Sequence, residues 1–176
     1  MAPFSFPAVH NFPPLYTIQP VEETRKEQME TWGEILVGYH GNKRVFQQTV
    51  AEAAASPVFK NDKINRRLSV EEITQVIDAL VEEGRARWMD EEKTKFAVLW
   101  KSISDWADSI WQWVTSSGHT DSVMTFFELL EGDDTVTADF YGMDRDIFEL
   151  AISELEGRGK ANVFVAAGEK GVKFGS

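Results

Sequence analysis

Apolar residues along the chain change their spacing several times, and each change marks an element. From residue 21 to about residue 40, Met29, Trp32, Ile35, Leu36 and Tyr39 recur at helical spacing and form one stripe. A second helix is predicted over residues 69–83. Ile73, Val76, Ile77 and Leu80 line one of its faces, Ser69 and Glu72 make a capping box, and Leu68 with Ile73 makes a hydrophobic staple. Gly84 should end it, because glycine readily takes the left-handed conformation that closes helices. Two short strands are predicted next, near residues 86–89 and 95–100, joined by the polar turn Asp90-Glu91-Glu92-Lys93-Thr94.

The same pattern returns 75 positions later without a gap. Ile35, Leu36 and Tyr39 fall on Ile110, Trp111 and Val114. Ser69 falls on Asp144, another good N-cap residue, and Met143 with Phe148 repeats the staple. Ile73, Val76, Ile77 and Leu80 fall on Phe148, Ala151, Ile152 and Leu155, and Gly84-Arg85-Ala86 falls on Gly159-Lys160-Ala161. Each copy reads helix, short strand, short helix, capped helix and two-strand hairpin, which is the order of a winged helix. The first short strands are expected at 45–49 and 123–125, and the second wing turn at Ala167-Gly168-Glu169-Lys170-Gly171. The predicted fold is α+β and mostly helical: an N-terminal arm (1–20) and two tandem winged-helix domains (21–101 and 102–176).

The arm holds five of the six prolines, Pro3, Pro7, Pro13, Pro14 and Pro20, interleaved with Phe4, Phe6, Phe12 and Tyr16. Proline fixes φ and lacks an N–H, so an extended, polyproline-like segment is expected. Three roles fit such a segment. It can strap its own domain, dock its aromatics into another chain, or present Pro13-Pro14-Leu15-Tyr16 as a PPxY ligand for a WW domain.

The helix that opens the second copy is unusually apolar. Ile103, Trp106 and Trp113 widen the stripe of Ala107, Ile110, Trp111 and Val114 to an arc of about 160°, against roughly 100° for an ordinary core face. Ile103, Trp106 and Trp113 are therefore expected to pack between the domains, or against an external partner.

Composition and charge narrow the function. The 176 residues carry a net charge of −11 and include no cysteine, which excludes disulfides, a thiol nucleophile and Cys-ligated zinc. His10, His40 and His119 are far apart and read as ordinary polar residues. No phosphate loop, nucleophile elbow or calcium loop is present, so no catalytic site, metal or cofactor is expected. No segment approaches the roughly 18 apolar residues of a membrane span, and the N-terminus lacks signal-peptide features, so a soluble intracellular protein is expected. Winged helices often bind DNA. Here residues 69–83 carry Glu71, Glu72, Asp78, Glu82 and Glu83 with no Lys or Arg, and the equivalent helix sets Asp144, Asp146, Glu149, Glu154 and Glu156 against Arg145. Both would repel phosphate, so no nucleic-acid partner is expected. Residues 1–101 hold 13 basic and 15 acidic side chains, net −2, whereas residues 102–176 hold 5 and 14, net −9. The second domain therefore suits a basic protein partner. Lys60, Lys63, Arg66 and Arg67 form a local basic run that reads as a solvated loop or as a contact for an acidic headgroup or partner.

The arm sequence FPPLYTIQP, the stretch ASPVFKN, the tryptophan-rich DWADSIWQWV and the ending GVKF resemble the smallest subunit of ESCRT-II, the vacuolar-protein-sorting subunit 25 family, over essentially the whole chain. The resemblance implies a non-catalytic role in sorting ubiquitinated membrane cargo at endosomal multivesicular bodies. It implies a cytoplasmic location with peripheral recruitment to endosomes and only indirect membrane contact. The implied partners are two larger ESCRT-II subunits and an ESCRT-III subunit with a basic N-terminal helix; self-association of the isolated chain is a further expectation. Carried onto this sequence, the docking residues are Phe4, Phe6, Pro7, Pro13, Pro14 and Tyr16, with Phe12 expected to dock beside them. For the ESCRT-III subunit, the acidic residues Asp139, Asp146, Glu149 and Glu156 are the expected contacts, on charge grounds. The competing readings are a DNA-binding regulator and a WW-domain adaptor.

Overall fold

The structure is a computed structural model that describes residues 2–175. The chain divides into two compact units, the first ending at Trp100 and the second beginning at Lys101. Both are winged helices.

In the first unit, helix α1 (Glu22–Lys43) leads to strand β1 (Gln47–Thr49), helix α2 (Val50–Ala55), a small hairpin of β2 (Lys60–Asn61) and β3 (Arg66–Arg67), and helix α3 (Val70–Glu82). The wing strands β4 (Ala86–Trp88) and β5 (Lys95–Val98) follow. β5 lies between β1 and β4, antiparallel to both. The capping box of α3 is present on both sides, with Ser69 Oγ accepting from the Glu72 N–H and a Glu72 carboxylate oxygen accepting from the Ser69 N–H. Gly84 ends the helix at φ 75°. Trp32, Leu36, Ile73, Val76, Ile77, Leu80 and Phe96 make the core. Helices α1 and α3 approach closely at Gly33, where a Cβ would stand 2.8 Å from Leu80 Cδ2.

The second unit repeats this topology with α4 (Ile103–Ser116), β6 (Val123–Thr125), α5 (Phe126–Glu131), α6 (Arg145–Gly157), β7 (Ala161–Ala166) and β8 (Glu169–Phe174). Here β8 lies between β6 and β7. The acidic segment after α5 forms a single 3-10 turn, Asp133–Thr135.

Three expectations change. First, the repeat is not gapless. In the opening helices the four buried positions of α4, Trp106, Ala107, Ile110 and Val114, match buried Trp32, Gly33, Leu36 and His40 of α1 at an offset of 74. The capping boxes of the short helices, Thr49 with Glu52 and Thr125 with Glu128, stand 76 apart. The main capped helix keeps 75, from Ser69 to Asp144, as do the glycines that end it, Gly84 and Gly159, and the wing strands that start at Ala86 and Ala161. Compensating length changes in the loops keep each core face in place, because register is set by burial and not by numbering.

Second, the wing turn of the second unit is two residues, Ala167-Gly168, at φ 54° and 78°. Residues Glu169 to Gly171 belong to β8, paired with Ala166 to Phe164. A two-residue turn with both φ positive matches the right-handed twist of its strands, so the hairpin extends to it.

Third, the arm is not polyproline-like throughout. It forms two 3-10 turns, Ala8–Asn11 and Pro13–Tyr16. Proline tolerates this because its φ suits the start of a turn, where its missing N–H is not needed. The donors that close the turns come from elsewhere: His10 N–H to Pro7 O, Phe12 N–H to Val9 O, Leu15 N–H to Phe12 O and Thr17 N–H to Pro14 O.

Candidate functional site

The arm packs on its own unit, and a few side chains hold it there. Phe4 meets Tyr39 edge-on with ring centres 5.5 Å apart; Phe6 stacks on Tyr39 at 5.8 Å and on His10 at 4.2 Å. Gly38 leaves room for this, since a Cβ there would stand 3.1 Å from Phe4 Cε1. Further along, Leu15 and Tyr16 are buried in the core, and the Tyr16 ring packs edge-on against Trp32 at 5.2 Å.

Three polar side chains bind the arm backbone. Trp32 Nε1–H donates to Leu15 O at 3.1 Å. Buried Gln28, one helical turn before Trp32, donates to Leu15 O at 2.9 Å and Thr17 O at 2.8 Å and accepts from the Gln19 N–H at 3.0 Å. From β2, the Asn61 amide donates to His10 O at 2.9 Å and to Asn11 Oδ1 at 3.0 Å. The Tyr16 hydroxyl donates to the same His10 carbonyl at 2.7 Å, and burial pushes its pKa up, so it stays a donor.

His10 is the buried hub of this network. Its Nε2 lies 2.8 Å from Val58 O, which can only accept, so Nε2 carries the proton. Nδ1 faces the Asn61 amide nitrogen at 3.2 Å and is left as an acceptor. Burial lowers the His10 pKa, with the Val58 bond opposing it, and the ring is neutral near pH 7. His10, Gln28 and Asn61 were not singled out from sequence. The available signal was the spacing of Gln28 and Trp32, which puts both on the inner face of α1.

The outer side of the arm is different. Phe12 is 55% exposed, and Pro3, Pro7, Pro13 and Pro14 are exposed as well. The seven sequence-derived docking residues therefore separate. Phe4, Phe6 and Tyr16 face their own unit, whereas Pro7, Phe12, Pro13 and Pro14 face outward. In this arrangement PPLY has its tyrosine buried, and a WW domain would have to pull it from the core.

Among the acidic residues of the second unit, Asp139 pairs with Lys101 and Glu149 with Lys170, each at 2.5 Å. A Glu156 oxygen accepts from the Val163 N–H at 3.1 Å. Asp146 lies in the first turn of α6. Trp106 is buried, with the Lys101 ammonium over its ring, 4.5 Å from the ring centre. Trp113 stacks on His119 at 4.8 Å, and Ile103 is half-buried. Among the described residues, no three His, Asp or Glu side chains converge as a metal site, and no helix is long and apolar enough to cross a membrane.

Comparison with known proteins assigns this architecture. The family model for an ESCRT-II complex subunit matches residues 9–144. Vacuolar protein sorting-associated protein 25 of Arabidopsis thaliana is 39% identical over 176 residues, covering 99% of this chain and 97% of the relative. The Danio rerio protein of that name is 37% identical over 171 residues, covering 97% and 98%. The crystal structure of subunit VPS25 of the endosomal trafficking complex ESCRT-II superposes with a TM-score of 0.86 at 30% identity, covering 96% of this chain and 98% of that one. A chain in the crystal structure of the endosomal complex ESCRT-II (VPS22/VPS25/VPS36) gives 0.83 at 30% identity, with the same coverage.

Proposed function

Since the chain belongs to the ESCRT-II complex subunit family and serves vacuolar and endosomal sorting, we propose that it is a non-catalytic scaffold subunit whose arm joins it to larger subunits of the VPS22 and VPS36 kind. The supporting observation is the division of the arm into an anchored and a presented side. Tyr16, Leu15 and His10 fix the backbone, so that Phe12 stands 55% exposed on a held turn, flanked by Pro13 and Pro14. A large apolar side chain on a preordered segment loses little entropy on docking, and buried aromatics commonly dominate interfaces. Phe12 fills a pocket on a larger subunit, the exposed prolines pack around it, and Phe4, Phe6 and Tyr16 act from beneath by holding the turn.

The second unit, with most of the net negative charge, recruits an ESCRT-III subunit through that subunit's basic N-terminal helix. Asp139, Asp146, Glu149 and Glu156 contribute to the field that steers it. This places the protein at the cytoplasmic face of endosomes, in the sorting of ubiquitinated cargo into multivesicular bodies, with the membrane reached through its partners.

The deciding experiment is co-purification of Phe12→Ala with the two larger subunits. The expected result is loss of the complex with an unchanged melting temperature of the isolated chain. Retention of the complex at wild-type yield would refute the docking role of the arm.

A further inference from the structure

The hairpin of β2 and β3 carries four cations: Lys60, Lys63, Arg66 and Arg67 are all exposed, and among the described residues none has a carboxylate within ion-pairing distance. Lys60 and Arg67 are direct cross-strand partners. Like charges in that position repel, so the pair works against the hairpin. The hairpin survives because Phe59 and Leu68, at its base, are buried and joined by a 3.0 Å backbone bond from Leu68 N–H to Phe59 O. Lys60, Arg66 and Arg67, with Asp62 and Asn65, line an open cleft of about 310 Å³. A single carboxylate leaves this cleft positive, on a chain whose net charge is −11.

The hairpin is also tied to the arm. Asn61, between Lys60 and Asp62, donates at 3.0 Å to the side chain of Asn11, the residue before Phe12. The exposed aromatic and the unpaired cations thus belong to one held surface. On this basis, and resting on the docking role of Phe12 proposed above, we infer that the arm and the β2–β3 hairpin form one bipartite docking surface. Its partner is an apolar pocket rimmed by carboxylates on a larger ESCRT-II subunit. The pocket takes Phe12, and the rim neutralises Lys60, Lys63, Arg66 and Arg67. Charge at a rim acts mainly on the rate of encounter and on orientation, while the buried aromatic governs retention.

The test is Arg67→Glu in the full chain, with Phe12→Ala alongside and Arg67→Lys as the conservative control. Association with the purified pair of larger subunits is followed at low and high salt. In Arg67→Glu, the new glutamate faces Lys60 across the hairpin, so the isolated chain should melt no lower than wild type. Its association should nevertheless slow by about tenfold at low salt, with a flatter salt dependence, while Arg67→Lys stays near the wild-type rate. Phe12→Ala should act mainly by faster dissociation. If Arg67→Glu associates at the wild-type rate while Phe12→Ala loses binding, the bipartite surface is wrong and the docking role of the arm stands. If neither variant changes binding, both fall. A third arm uses vesicles of phosphatidylcholine with phosphatidylserine. Sedimentation of the wild-type chain with them, lost in Arg67→Glu while subunit association is unchanged, would assign the cations to a membrane and overturn the inference.

Discussion

His10 Nε2 donates to the carbonyl of Val58 at 2.8 Å, linking an arm turn to the segment that leads into the β2–β3 hairpin. The bond closes a long loop of chain and fixes the histidine tautomer. Around it, Asn61 and Tyr16 satisfy the His10 carbonyl, so the arm is held by directional bonds as well as by buried rings.

The arm bonds predict a contrast between two substitutions. Gln28→Ala removes two donors to arm carbonyls and the acceptor for the Gln19 N–H. Leu15 O keeps its Trp32 donor and Thr17 O its Gln19 side-chain donor, so the Gln19 N–H is the group left unsatisfied, at a cost of roughly 1–3 kcal/mol. The variant should melt lower and expose the arm to protease. Phe12→Ala, at an exposed position, should do neither. Thermal melts and limited proteolysis of both variants check this.

Acid should weaken the first unit. His10 and His40 both have pKa values lowered from 6.5, mainly by burial, with backbone bonds opposing. The unfolded chain therefore binds protons more readily than the folded one. The stability these neutral rings contribute is present above pH 6.5 and is lost as pH falls from there towards the lowered folded values. Urea melts followed by tryptophan fluorescence should show falling midpoints between about pH 7.5 and pH 5.5. His10→Gln, which keeps a donor for Val58 O, should reduce the slope. An unchanged slope in that variant would remove His10 from the account.

The turn at Ala167 should accept improvement. Ala167 sits at φ 54°, a left-handed conformation that disfavours alanine, in a turn type where Asn precedes Gly. Ala167→Asn should stabilise the second unit by about 0.5–1 kcal/mol, read as a higher denaturation midpoint.

Steering by the acidic surface should be measurable as a rate. Reversing Asp146 and Glu149 to Lys should slow association with an ESCRT-III subunit and flatten its salt dependence, leaving assembly through the arm intact. Losing the exposed Glu149–Lys170 pair should cost at most about 1 kcal/mol, so the fold should persist. An unchanged rate would move the ESCRT-III contact to another part of the second unit.

The amino-acid sequence by itself determined the main winged-helix elements and their order, because those signals are local; the β2–β3 hairpin, whose basic residues read as a loop, was not among them. A capping box joins residues three apart, as Ser69 with Glu72, and a helix-ending glycine acts where it stands, as Gly84 and Gly159 do. The tandem repeat follows from the same signals. Its register in the opening helices does not. Whether Ile110 matches Ile35 or Leu36 depends on which residues face α3 and α6, and only packing fixes that; burial selects the offset that aligns Trp32 with Trp106. The arm is the sharper case. Its prolines and aromatics suit both a strap and a docking peptide, and its local preference was for extended chain. Contacts with Trp32, Val58 and Asn61, 17 to 51 residues away, turned it into two 3-10 turns with Tyr16 inside and Phe12 outside. The sequence could name the docking segment, but the choice of which side chains it hides and which it presents required the surface on which it lies.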